Sequence, residues 1–165
     1  MIKKILLAAD LGSSTPHLLQ HACHLSLQYQ AKLLVVHAIE PMGALGRVML
    51  KAFMPPDELT QNSIDTVERQ VKSQVIDALT EEYMSGEKGL SLLGEVIVKA
   101  GSPLVVINDA ITHTESDLLI VGNHSGDDTS GLMGSVASKI LQTCKIPVFF
   151  VPLASAYSHR QPRAS

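Results

Sequence analysis

Five short apolar runs constrain this chain more than any other feature: residues 5–9, 32–39, 92–98, 117–121 and 147–151. Each has the length of a strand rather than a helix, and the segments between them are long enough to hold helices. Parallel strands need such crossovers. The alternation therefore predicts an α/β fold, a single doubly wound five-stranded parallel sheet with helices on both faces, Rossmann-like. Residues 1–153 form one domain in this reading, and the polar residues 154–165 form a disordered tail. Ligands in such sheets bind beyond the carboxyl ends of the strands, where the strand order reverses.

The helical segments carry their own signals. Thr15 reads as an N-cap with Pro16 at the first helical position, and Leu18, Ala22, Leu25 and Tyr29 share a face. A long helix begins at Asp57, shows Ile64, Val67, Val71, Val75 and Ala78 on one side, pairs Glu68 with Lys72, and closes at Gly86 and Gly89. Gly94 and Glu95 interrupt the third strand, which fits a place near a sheet edge. Gly101-Ser102-Pro103 turns into a helix over residues 104–114, and the last helix has Ala137, Ile140, Leu141 and Cys144 on one face. Residues 42–56 hold Met42, Met49 and Met54 without a period, and read as a mobile or partner-covered connection.

Residues 116–136, SDLLIVGNHSGDDTSGLMGSV, form the stretch with most chemical content. A buried strand leads into a loop holding Gly122, Gly126 and Gly131, and a helix starts at Gly134-Ser135. Free backbone N–H groups next to a helix N-terminus suit a phosphate. Equally, the glycines serve a plain connecting loop with left-handed turns. Spacing leaves both readings open.

Composition excludes several partners. The net charge of −3 and an aromatic fraction of 4% with no Trp speak against nucleic acid. The opening MIKKILLAAD imitates a signal peptide, but its apolar stretch is too short and Asp10 ends it. No run approaches a membrane span. Cys23 and Cys144 lie far apart in helical patterns, as small hydrophobes. The expectation is a reduced, cytoplasmic protein.

Taken in order, ILLAAD, LLVVHAIEP, AGSP, LLIVGNHSG, LMGSVASKIL and IPVFFVP resemble the universal stress protein family through nearly the whole chain. That resemblance implies an ATP-binding, homodimeric regulatory protein of the stress response. It implies that Asp10 holds the ribose, that Ala38 reads adenine through its backbone, and that Gly122, Gly134, Ser135 and Val136 form the phosphate loop and helix start. Ala8, Val121, His124, Ser125 and Gly126 complete the expected site, and Gly101 matches a recurrent glycine opposite the cleft. Dimerisation would use the last strand, from Pro147 to Pro152, whose apolar edge wants covering.

The loop departs from the family pattern in two ways. The second glycine stands at Gly126 rather than at Ser125, and the span from Gly122 to Gly134 is one residue short. Asp127 and Asp128 also stand where relatives often carry Lys or Arg. Two carboxylates repel a triphosphate by a few kcal/mol at an effective dielectric of roughly 20, unless Mg²⁺ intervenes. An alternative is therefore an interaction module of the same fold with a vestigial cleft, and another is a slow Mg²⁺-dependent ATPase using Asp127 or Asp128.

Other constellations are weaker. His17, His21 and His24 share a stripe of the first helix, but no carboxylate or Cys stands at matching spacing, so a polar helix flank is favoured over a metal site. His37 reads as a satisfied core histidine and Lys139 as part of a solvated face. The Gly-Lys-Ser/Thr of a P-loop, the dinucleotide G-x-G-x-x-G and a nucleophile elbow are all missing, and no catalytic base can be nominated.

Overall fold

The structure, a computed structural model, describes residues 1–10, 12, 14–40, 62–78, 91–123 and 135–153. Its strands are β1 (Lys4–Ala8), β2 (Lys32–Ile39), β3 (Leu93–Ala100), β4 (Leu118–Asn123) and β5 (Val148–Pro152). Its helices are α1 (Thr15–Tyr29), α2 (Asn62–Ala78), α3 (Pro103–Thr114) and α4 (Ser135–Thr143). All pairings are parallel, in the order β3-β2-β1-β4-β5. From β1 the chain adds β2 and β3 on one side and then β4 and β5 on the other. The reversal falls between β1 and β4.

Alternate residues of the central strands feed two cores. Ile5, Leu7, Leu33, Val35 and Ile120 meet Leu18, Leu19, Ala22 and Cys23 of α1 and Val71 of α2. Leu6, Leu34, Val36, Leu119 and Val121 meet Val106, Ile107 and Ala110 of α3 and Ile140 of α4. Burial on both faces explains why these strands read as continuous apolar runs rather than alternating ones. Each fully buried Leu or Ile contributes roughly 1.5–3 kcal/mol relative to exposure.

The third strand is indeed an edge. Leu33 pairs with Leu93 but Val35 with Val96, so β3 carries an extra residue around Gly94-Glu95. A Cβ on Gly94 would lie 2.6 Å from Leu34 Cδ2 and 3.1 Å from the Leu33 carbonyl. The interruption in the apolar run is thus a bulge where two backbones approach closely. Below the sheet, one carboxylate oxygen of Asp117 accepts the backbone N–H of Lys3 at 2.7 Å and of Lys4 at 3.0 Å, joining β1 to the start of β4.

Several local expectations are corrected. Ser14, not Thr15, is the N-cap of α1. Its backbone is near-helical (φ −88°, ψ −5°) and its side chain makes no capping hydrogen bond. Tyr29 is 49% exposed, because it is the last helical residue and left-handed Gln30 then turns the chain into β2. The buried face of α1 instead ends at Ser26. Leu141 is 55% exposed, since α4 packs on β4 and α3 and Leu141 faces neither. The helix after Gly101 starts at Pro103 rather than at Leu104, with Ser102 as its cap. The expected start at Asp57, the closing Gly86 and Gly89, residues 42–56 and the tail 154–165 lie outside the described residues. Among the described residues, no helix is long and apolar enough to cross a membrane.

Candidate functional site

The strand-order reversal places a cavity of about 260 Å³ at the carboxyl ends of β1, β2 and β4. Its floor is formed by Ala8, Ala9 and Asp10 from β1 and the residues after it, with Val121 and Gly122 from β4. The β2 side contributes Val36, His37 and Ala38, with Glu40 just beyond the strand. Helices close it: Leu18 of α1, Pro103 and Ile107 of α3, and Val136 in the first turn of α4. Leu153, immediately after β5, completes the wall.

Each wall follows from local physics. Asp10 lies two residues past β1, and its Oδ1 accepts the Gly12 N–H at 2.9 Å and the Thr15 hydroxyl at 3.4 Å. This is a carboxylate turning the chain over itself two residues on, and it aims α1 back across the sheet. On the β2 side, Gly101 donates its N–H to the Ile39 carbonyl at 2.9 Å. Gly101 has φ +152°, a backbone conformation that disfavours any side chain, and its Cβ would lie 3.1 Å from Val106. The tight turn brings Pro103 and Ile107 to the cavity.

Gly122 has a packing reason for its missing side chain. A Cβ there would stand 2.3 Å from Leu153 Cδ1, 3.1 Å from Leu153 Cγ and 3.2 Å from Leu18 Cδ1. The Leu153 N–H in turn donates to the Asn123 carbonyl at 2.9 Å, which fixes the chain after β5 over Gly122.

Six of the residues expected at the site line this one cavity: Ala8, Asp10, Ala38, Val121, Gly122 and Val136. Ser135 is exposed at the first residue of α4 and does not line it. His124, Ser125, Gly126, Gly134, Asp127 and Asp128 lie outside the described residues. His37 is a correction. It is half-buried and faces the cavity, with its Nδ1 against the Ala9 carbonyl at 2.9 Å, so it is not sealed in the core.

Sequence reasoning missed Leu18, Ile107 and Leu153 as lining, because residues that seal a core and residues that line a cavity share one apolar pattern. Glu40 directly follows the second apolar run and Pro103 stands in the turn after the third, and a place just beyond a strand was the available signal. The described lining holds two carboxylates, Asp10 and Glu40, and no Lys or Arg.

The histidine stripe is a packed surface feature. The rings of His17 and His21 meet edge to face at 4.7 Å, and His21 lies 6.3 Å from the Phe149 ring on β5. Partial burial, then the neighbouring His17 and His24, hold the His21 pKa below the usual imidazole value. Among the described residues, no cluster of three or more His, Cys, Asp or Glu could hold a metal.

Comparison with known proteins agrees with this architecture. The sequence profile described as "Universal stress protein family" matches residues 1–152. The chain is 30% identical to the universal stress protein A homolog of Haemophilus influenzae, over 93% of this chain and 98% of that one. It is 26% identical to universal stress protein YxiE of Bacillus subtilis, over 92% and 99%. Among solved structures, the fold is similar to a universal stress protein in complex with cAMP (TM-score 0.60, 19% identity, 93% and 98% covered). It is also similar to hypothetical protein MJ0577 (TM-score 0.66, 18% identity, 94% and 99% covered). With a family profile spanning nearly the whole sequence and a five-stranded parallel sheet beneath it, this chain belongs to the universal stress protein family.

Proposed function

We propose that this protein is an adenine-nucleotide-binding regulatory protein that acts as a homodimer, with ATP as the ligand. The observation carrying the reading is the cavity at the strand-order reversal, the place where open α/β sheets bind ligands. Its volume of about 260 Å³ lies just below the roughly 300–1,000 Å³ of pockets that bury a whole drug-sized ligand. That volume suits a base and sugar, and the phosphates would then reach the end of the cavity where Gly122 and Val136 lie. Val136 brings the first turn of α4 to the cavity wall, so the partial positive charge of that helix end faces the phosphates. Asp10 stands where a ribose hydroxyl would donate to a carboxylate. The cAMP complex of a structural neighbour supports an adenine nucleotide as the ligand class.

Asp127 and Asp128 would hold Mg²⁺ with the phosphates, and the metal would supply the positive charge that the described lining lacks. The role is regulatory: nucleotide occupancy shifts the order of the loop and hence the binding of a protein partner. In this reading any ATP hydrolysis is slow. The β5 edge supplies the dimer contact. Among the described residues it pairs only with β4, and Phe149 on it is 39% exposed.

The test is calorimetry on protein stripped of co-purified ligand, titrated with ATP with and without Mg²⁺. Saturable heat that Asp10→Ala reduces supports the site. Absence of heat with either titrant retires the nucleotide reading and leaves the interaction module. Light scattering of Phe149→Asp separates the dimer claim: a shift from dimer to monomer supports it, and a monomeric wild type removes it.

A further inference from the structure

We propose that the Nε2 atom of His37 is a direct hydrogen-bond acceptor for a nucleoside in this cavity, taking a proton from an N–H or O–H of the base or sugar. The inference rests on the nucleotide reading above and adds a contact residue to it.

The geometry fixes which ring nitrogen is free. Nδ1 lies 2.9 Å from the Ala9 carbonyl. A carbonyl only accepts, so Nδ1 carries the proton, and in the neutral ring Nε2 is a bare acceptor. No residue among those described bonds Nε2. His37 is half-buried and lines the cavity between Asp10 and Ala38. A polar atom held in this way by a second bond at the far side of its ring is oriented before any ligand arrives.

The acceptor would be selective. An amine or hydroxyl satisfies Nε2, whereas a carbonyl at the same position faces it lone pair to lone pair.

Adenosine is the probe, because it carries only the base and the sugar. Its dissociation constant is measured by NMR line shifts at pH 8 for wild type, His37→Asn and His37→Gln. The Asn amide can keep the Nδ1-type bond to Ala9 while removing Nε2; the Gln side chain places an amide near the Nε2 position.

The expected result is roughly three- to tenfold weaker binding in His37→Asn than in wild type, the effect of one neutral hydrogen bond. Part of that loss should be recovered in His37→Gln. Inosine and 2′-deoxyadenosine identify the donor: a loss that disappears in His37→Asn marks the amine or the hydroxyl respectively. Unchanged affinity in His37→Asn, or a loss that His37→Gln does not reduce, overturns the contact. So does a chain that binds ATP but not adenosine. If ATP itself fails to bind, the nucleotide reading falls first, and this inference with it.

Discussion

Replacing Gly122 by Ala separates two explanations for this glycine, an open approach for phosphate and a packing requirement. The new methyl would stand 2.3 Å from Leu153 Cδ1, so Leu153 must rotate away and give up part of its burial. Leu18 Cδ1 at 3.2 Å is less able to yield, because Leu18 is 1% exposed. Overpacking of this kind costs about 1–3 kcal/mol. Against it, Gly→Ala at a position of ordinary φ stabilises by about 0.4–1 kcal/mol through the unfolded chain. The net expectation is a loss of roughly 1–2 kcal/mol in ligand-free protein. Urea denaturation at fixed protein concentration should show a midpoint about 0.5–1 M lower with an unchanged slope. In a Leu153→Ala background the methyl meets open space on that side, and Gly122→Ala should be neutral or mildly stabilising. The double-mutant cycle should therefore report coupling of about 1–2 kcal/mol. Additive effects of the two substitutions would falsify the packing account and return Gly122 to a role in ligand binding alone.

Other expectations follow from single contacts. Asp117→Asn should weaken the chain by about 1–2 kcal/mol at neutral pH, allowing for partial exposure of the carboxylate. The Lys3 N–H first, and the Lys4 N–H second, hold the Asp117 pKa below its ordinary value. Its stabilisation is thus complete above the unfolded carboxylate's pKa of about 3.9 and lost as pH falls through the folded value. The gap in urea stability between wild type and variant should begin to narrow as pH falls below about 4, and a gap that does not narrow there would refute this. Ser26→Ala should raise stability by about 1 kcal/mol: the Ser26 hydroxyl is 0% exposed and has no hydrogen-bond partner among the described residues. A lower melting temperature would reveal a partner for that hydroxyl. Burial pushes the Cys23 thiol up to about 12, so iodoacetamide at pH 8 should label Cys144 on the native chain and reach Cys23 only with urea. Equal labelling rates would contradict the placement of Cys23.

What the sequence made legible was whatever short-range pattern determines. Apolar runs at strand length, separated by helical spacing, specify a parallel sheet because nothing else connects such strands. Gly94 was legible as an edge signal, and it became a bulge because Leu34 presses on it. Asp10 and Ala38 were legible through the family resemblance, and both stand at the carboxyl-end edge of the sheet where such folds bind ligands. Contacts between distant parts of the chain were not legible. Gly122 and Leu153 are separated by a loop, a helix and a strand, and no local pattern reveals that they touch. His37 looked like a core residue because it continues an apolar strand. The structure instead leaves it half-buried, lining the cavity with its Nδ1 against the Ala9 carbonyl. Leu141 fitted the apolar period of α4 yet faces neither β4 nor α3, since periodicity states which residues share a face and not what lies opposite.

The charge of the lining bears on the ligand more than its shape does. Asp10 and Glu40 are the charged side chains of the described wall, and both are acidic. A carboxylate and a phosphate about 8 Å apart repel by about 0.5–2 kcal/mol, from the dielectric of water to an effective value of roughly 20. Attraction must then come from backbone N–H groups, from the N-terminal end of α4 or from a divalent cation. Each added phosphate increases the repulsion, whereas the base and sugar contacts stay constant. Without Mg²⁺, affinity should therefore rise little or fall along the series adenosine, cAMP, ATP, and added salt should strengthen ATP binding by screening like charges. With Mg²⁺ the order should reverse. Metal-free ATP that binds far more tightly than adenosine, and weakens as salt is added, would mean that cationic groups outside this wall govern the site.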